Sequence, residues 1–132
     1  RVITSMRVYD NLSRGVSTFY AELERIKNVL DMCSDGKTLF LIDEIFKGTN
    51  SEDRLFGAKS VIEKLNEYNA SGFITTHDLA LCEMDENKRI KNYSFSETYE
   101  NDDINFDYRL KSGPSKSTNA KFLMNKLGII RN

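Results

Sequence analysis

"LFLIDEIFKGTNSEDR", residues 39–54, decides how this chain folds. Four apolar residues run directly into two carboxylates, Asp43 and Glu44. A short continuous apolar run of this kind, beginning at Thr38, suits a strand buried on both faces. Ending it on adjacent acids is costly unless a cation, a hydrogen-bonding partner or a reacting proton lies close by. Beyond the acids, Gly48 and Thr49 belong to a turn. Asn50 or Ser51 can cap a helix whose first turn carries Glu52 and Asp53.

Working outward, strand and helix patterns alternate. "RVITSMRVY" (1–9) is β-rich, and "DNLSRGVS" (10–17) reads as a loop. From Thr18, the residues Phe19, Leu23, Ile26 and Leu30 step by four, three and four, one face of a helix. After the acids, Leu55, Ala58, Ile62 and Leu65 line another helix that ends near Asn69. "SGFITT" (71–76) reads as a strand and "HDLALCEM" (77–84) as a short helix. "IKNYSFSETY" (90–99) and "INFDYRLKSG" (104–113) alternate around "ENDD", a hairpin pattern. A closing helix is expected from Thr118 to Leu127. The architecture expected is therefore α/β: a mostly parallel sheet with helical crossovers, then an antiparallel hairpin and a closing helix.

The 132 residues make one domain or a piece of one. With 19 basic and 20 acidic residues, the net charge of −1 gives no overall pull toward nucleic acid. Cys33 and Cys82 lie far apart with no nearby His or Cys, and read as free thiols in a reducing, cytoplasmic setting. No apolar run approaches the roughly 20 residues of a membrane helix, so no membrane contact is expected. The chain opens at Arg1 inside an expected strand, as a fragment of a longer protein would.

Open parallel sheets bind ligands at the carboxyl ends of their strands. Asp43, Glu44 and His77 all fall at such ends. An apolar strand closing on Asp-Glu is the Walker B pattern of phosphate-hydrolysing proteins. The first acid can help hold Mg²⁺ against the β- and γ-phosphates. The second can orient or deprotonate water. The imidazole of His77, the sole histidine, can donate to a phosphate or to that water. Either feature alone has an ordinary reading, a solvent-facing strand end or a structural histidine. Their joint order carries the functional one. "DGKT" (35–38) mimics the end of a phosphate loop, but Asp31 stands where its first Gly belongs and a strand follows where a helix should. A zinc site from Cys33, His77 and Cys82 matches no usual ligand spacing.

These segments together resemble the C-terminal half of the ATPase domain of the MutS-type DNA mismatch-repair family, within the ABC-type ATPases. "DNLSRGVSTFYAELERIKNVL" resembles the family's signature segment. "LFLIDEIFKGTNSEDRLFGA" resembles its Walker B strand and D-loop, "GFITTHD" its switch-histidine strand, and "INFDYRLKSGPSKSTNAKFLMNKLGI" its closing hairpin and helix. The resemblance implies an ATP and Mg²⁺ site in the full-length protein. Asp43 is the implied metal ligand, with Glu44 as base or water-positioning group and His77 at the γ-phosphate. Gly15 and Ser17 would reach a nucleotide bound by a partner subunit, and Gly48, Thr49 and Asn50 would link the two sites across a homodimer. DNA would be held by other parts of the protein. Ser17 could equally be a plain helix cap, and Gly48 a turn needing positive φ.

The chain departs from the family where many members read Gly-Arg-Gly-Thr against "FKGTN", and where Asp78 replaces an aromatic after the histidine. The expectation is a MutS-like side branch. The phosphate loop itself is absent from these residues, so the chain alone is expected to bind ATP weakly, to hydrolyse none, and to expose an open sheet edge prone to self-association. Two other readings stand beside this one. One is a metal-dependent nuclease built on Asp43, Glu44 and His77. The other is a non-catalytic interaction module using the acidic "ETYENDD" (97–103).

Overall fold

The structure, a computed structural model, describes residues 1–6, 18–101, 103–116 and 119–131. The chain divides into two compact units, Arg1–Arg89 and Ile90–Asn132. The first is α/β. Its strands β1 (Val2–Ser5), β2 (Leu39–Ile42) and β3 (Ser71–Ile74) form a parallel sheet in the order β1-β2-β3. Ile3 lies opposite Phe40 and Ser5 opposite Ile42; Phe40 lies opposite Gly72 and Ile42 opposite Ile74. The three strands therefore end level, and the segments that follow them emerge at one rim. Helices α1 (Thr18–Cys33) and α2 (Ser51–Glu67) provide the crossovers, and a 3₁₀ helix (Leu79–Glu86) follows β3.

Ile3, Phe40 and Ile42 from the sheet join Ile26, Val29 and Cys33 of α1 and Ala58, Val61 and Leu65 of α2 in one cluster. The expected α1 stripe holds at Ile26, with Phe19 and Leu30 half-buried against the cluster, and fails at Leu23. Val29 and Cys33 are buried beside Ile26, while Leu23 is exposed. In α2 the buried set is Ala58, Val61 and Leu65, flanked by half-buried Leu55 and Ile62. Burial of β2 is one-sided rather than two-sided: Phe40 and Ile42 are inside, while Leu39 and, on β3, Phe73 stand exposed. Both helices bring their apolar faces to the same side of the sheet, which leaves Leu39 and Phe73 uncovered among the described residues.

The second unit holds the expected hairpin, split into two ladders. β5 (Glu97–Glu100) pairs antiparallel with β6 (Asp103–Phe106) at the tip, and β4 (Tyr93–Ser94) with β7 (Lys111–Ser112) at the base. Between the ladders, Phe95 and Ser96 lie opposite the longer stretch Asp107–Leu110. The surplus residues force a bulge, with Tyr108 at φ 54°. Lys111 fastens the interruption through Ser96 (2.9 Å) and Asp107 (3.0 Å). α3 (Asn119–Lys126) joins the hairpin through Phe122, whose ring centroid lies 4.3 Å from that of Tyr99. No described helix is long and apolar enough to cross a membrane.

Candidate functional site

The site lies at the rim where β2 and β3 end. The sheet ladder runs on past both strands: the Asp43 N–H donates to the Ser5 carbonyl (2.8 Å) and the Thr75 N–H to that of Ile42 (2.9 Å). Thr75 then ties the two tips together. Its hydroxyl donates to Asp43 Oδ1 (2.7 Å) and accepts from the Glu44 N–H (2.9 Å). Sequence reasoning passed over Thr75, although a hydroxyl-bearing residue in the strand before the histidine is the available signal. Thr75 engages one oxygen of Asp43, which remains exposed.

Glu44 breaks from strand geometry at φ 53°. Its carboxylate is mostly enclosed, 16% exposed, and both oxygens are engaged: Oε1 lies 2.7 Å from His77 Nε2 and Oε2 pairs with the Lys47 ammonium. The structure thus brings together Glu44 and His77 from adjacent strands, with Asp43 beside them on Thr75. Asp78, the departure noted after the histidine, pairs with Arg54 of α2 at 3.3 Å. This tie joins the segment after β3 to the helix after the acids.

Between Glu44 and α2 the chain makes a second left-handed residue, Phe46, at φ 54°. Ile45 and Phe46 are buried, and the Phe46 ring packs edge-on to Phe19 of α1 with centroids 5.9 Å apart. Lys47 and Gly48 present their amides to one carboxylate. Glu22 of α1 accepts from the Lys47 N–H (3.0 and 3.1 Å) and from the Gly48 N–H (3.0 Å). Gly48 is required by crowding and not by a positive φ: a Cβ there would stand 2.8 Å from the backbone nitrogen of Phe19. Thr49 is half-buried in the same loop. Asn50 caps α2, its side-chain oxygen accepting from the Asp53 N–H at 2.9 Å. Gly48, Thr49 and Asn50 therefore sit in the connection from the acids to α2. Gly15 and Ser17 lie outside the described residues.

Two hollows flank the loop. One of about 440 Å³ opens between the end of β1, α1 and the acids, lined among others by Glu22, Arg25, Asp43 and Glu44. A smaller one of about 150 Å³ lies on the β3 side, lined by Glu44, Lys47, Arg54, Thr76, His77 and Asp78. Among the described residues no three His, Cys, Asp or Glu side chains gather as a cation cage. A hard divalent ion such as Mg²⁺ fits the donor set nonetheless. It needs only one or two protein carboxylates when waters and phosphate oxygens complete its shell, and exposed Asp43 offers one.

Comparison with known proteins identifies the family of the chain. The DNA mismatch repair protein MutS of Desulfosudis oleivorans is 35% identical over 126 residues, which is 92% of this chain and 14% of that protein. That of Desulfatibacillum aliphaticivorans is 34% identical over 117 residues, 86% of this chain and 13% of the relative. That of Acetivibrio thermocellus is 35% identical over 115 residues, with the same two shares. The chain thus spans 13–14% of the length of these curated relatives. A family model described as MutS domain V matches residues 1–123, and with it and these relatives in agreement the chain belongs to the MutS domain V family.

Proposed function

We propose that this chain is part of an ATP-binding and ATP-hydrolysing domain of a MutS-like DNA repair or recombination protein. The observation that carries the reading is the 2.7 Å contact of Glu44 with His77, made from adjacent strand tips with Asp43 alongside. Asp43 would hold Mg²⁺, which when bound offsets phosphate charge. Thr75 holds Asp43 Oδ1, and the other carboxylate oxygen would be the one offered to the ion. Glu44 orients the attacking water and takes its proton. His77 holds one Glu44 oxygen and, 91% exposed itself, can turn its ring to a phosphate. Gly48, Thr49 and Asn50 contribute the linking loop, with Gly15 and Ser17 facing a nucleotide on a second copy, so that sites are composite across a homodimer. DNA is held by other parts of the full-length protein. The departures at "FKGTN" and Asp78 are what supports assigning the protein to a MutS-like side branch of the family.

The test is ATP turnover by the full-length protein. Glu44→Gln removes the base while keeping the shape, and should lower kcat by about 10²–10⁴-fold with nucleotide affinity retained. Unchanged turnover would overturn the reading. For the chain alone, calorimetry should register weak or no Mg-ATP binding; tight binding would contradict the need for a phosphate loop supplied elsewhere.

A further inference from the structure

We infer that Glu22 is a positioning residue for the base Glu44, acting through the backbone of Lys47 and Gly48. The inference rests on the function proposed above. A carboxylate accepting from two successive amides closes a small anion nest, here occupied by a side chain of the protein itself. Such bonds are charge-assisted and about twice as strong as neutral ones. They settle the backbone at Lys47, whose ammonium grips Glu44 Oε2 while His77 holds Oε1. The connection runs from α1 to the loop, then through the lysine to the base. Packing reinforces it, since Gly48 lies against the Phe19 backbone and Phe46 against the Phe19 ring, both on the first turn of α1.

Released from Glu22, the Lys47 amide is no longer fixed, and the Lys47 ammonium has no reason to stay on one Glu44 oxygen. The base then samples directions unsuited to water. Both Glu22 oxygens are engaged by the loop amides, so its loss should fall on kcat and not on KM.

Three substitutions at Glu22, with Lys47→Met beside them, test this. Glu22→Ala removes the acceptor. Glu22→Asp keeps the charge but is one methylene short of the amides. Glu22→Gln keeps an oxygen at the right reach. Amide hydrogen exchange at Lys47 and Gly48, followed by NMR without nucleotide, should accelerate about tenfold or more in the Ala and Asp variants and little in Gln. In the full-length protein, kcat should fall about tenfold or more in Ala and Asp with KM within about twofold, and Gln should restore most of it. Lys47→Met should lower kcat similarly, and Glu22→Ala combined with it should add little, because both break one connection. Unaltered exchange in the Ala and Asp variants would overturn the inference. So would losses of kcat that multiply in the double variant, which would mean that Glu22 acts independently of Lys47. Glu44→Gln separates the two levels. If turnover survives that change, the proposed function fails first; if it is lost while the Glu22 variants are silent, only the positioning role fails.

Discussion

Phe46 poses a test whose sign is opposite to ordinary experience. It is a bulky residue at φ 54°, where the side chain crowds the following carbonyl and costs about 1–2 kcal/mol. It is nevertheless only 6% exposed, edge-on to Phe19 and against α2 at Gly57, where a Cβ would stand 3.0 Å from the Phe46 ring. Removing the ring should cost about 3–5 kcal/mol whether Ala or Gly replaces it, since the lost packing is the same. The two replacements differ in the backbone. Ala keeps the left-handed strain. Gly relieves it, while giving the unfolded chain extra freedom that costs about 0.4–1 kcal/mol. Strain relief is the larger of the two, so Phe46→Gly should be the more stable variant, by on the order of 0.5–1 kcal/mol. Urea unfolding followed by circular dichroism resolves this: with a slope of about 2 kcal/mol per molar, the midpoints separate by roughly 0.3–0.5 M. An Ala variant as stable as Gly, or more so, would refute the argument that position 46 is strained and held only by its packing.

Other substitutions probe the same rim and the rest of the chain. Gly57→Ala should destabilise the wild type, because its Cβ meets the Phe46 ring, yet stabilise a Phe46→Ala background through better helix propensity, by about 1 kcal/mol; paired denaturation curves check the change of sign. Thr75→Val removes the hydroxyl shared by Asp43 and the Glu44 amide and should cost about 1–2 kcal/mol in urea unfolding, with a loss of turnover in the full-length protein. Asn50→Ala should cost about 1 kcal/mol of stability through the lost cap on α2, read by the same curves. The Lys37 backbone N–H, together with nearby Arg1, holds Asp35 below the usual carboxylate range. Its contribution to stability is therefore complete above the unfolded-state pKa and disappears as pH falls through the lower folded value. Asp35→Asn should remove that contribution at neutral pH and leave stability below the folded pKa little altered, so the acid side of a stability–pH curve flattens.

What the sequence disclosed followed from local periodicity, and what it hid depended on neighbours distant in the chain. The apolar run before Asp43 and the step pattern from Phe19 are local, and both elements stand where those patterns put them. In α1 the step pattern identifies Ile26 and the half-buried Phe19 and Leu30, but has Leu23 inside where Val29 is. Leu23 and Val29 are equally apolar, and only the placement of the sheet decides which is inside. One-sided burial of β2 was hidden for the same reason: a continuous apolar run does not reveal how many of its faces the rest of the chain covers. The hairpin was legible as alternation, but not its bulge, because Tyr108 carries no turn signature. Within the site, the acids and His77 stand out by residue type. Glu22 and Thr75 do not, since a helical Glu and a strand-end Thr are common; only their contacts across more than twenty residues distinguish them.

The placement of strain explains how two adjacent acids can do different work. In a regular strand, neighbours point to opposite faces, so Asp43 at the rim would leave Glu44 facing away and Ile45 facing with Asp43. The left-handed turn at Glu44 breaks that alternation immediately after β2. Asp43 stays in the ladder, fixed by the Ser5 carbonyl and Thr75. Glu44 is swung to His77 on the next strand tip, and Ile45 and Phe46 drop into the core. A glycine at 44 or 46 would make the same path without strain but would anchor nothing. With Ile45 and Phe46 buried, the apolar burial of two large side chains, about 1.5–3 kcal/mol each, exceeds the cost of the left-handed residues. The core thus holds the rim in shape, and the orientation of Glu44 depends on the packing beneath it as much as on the charges around it.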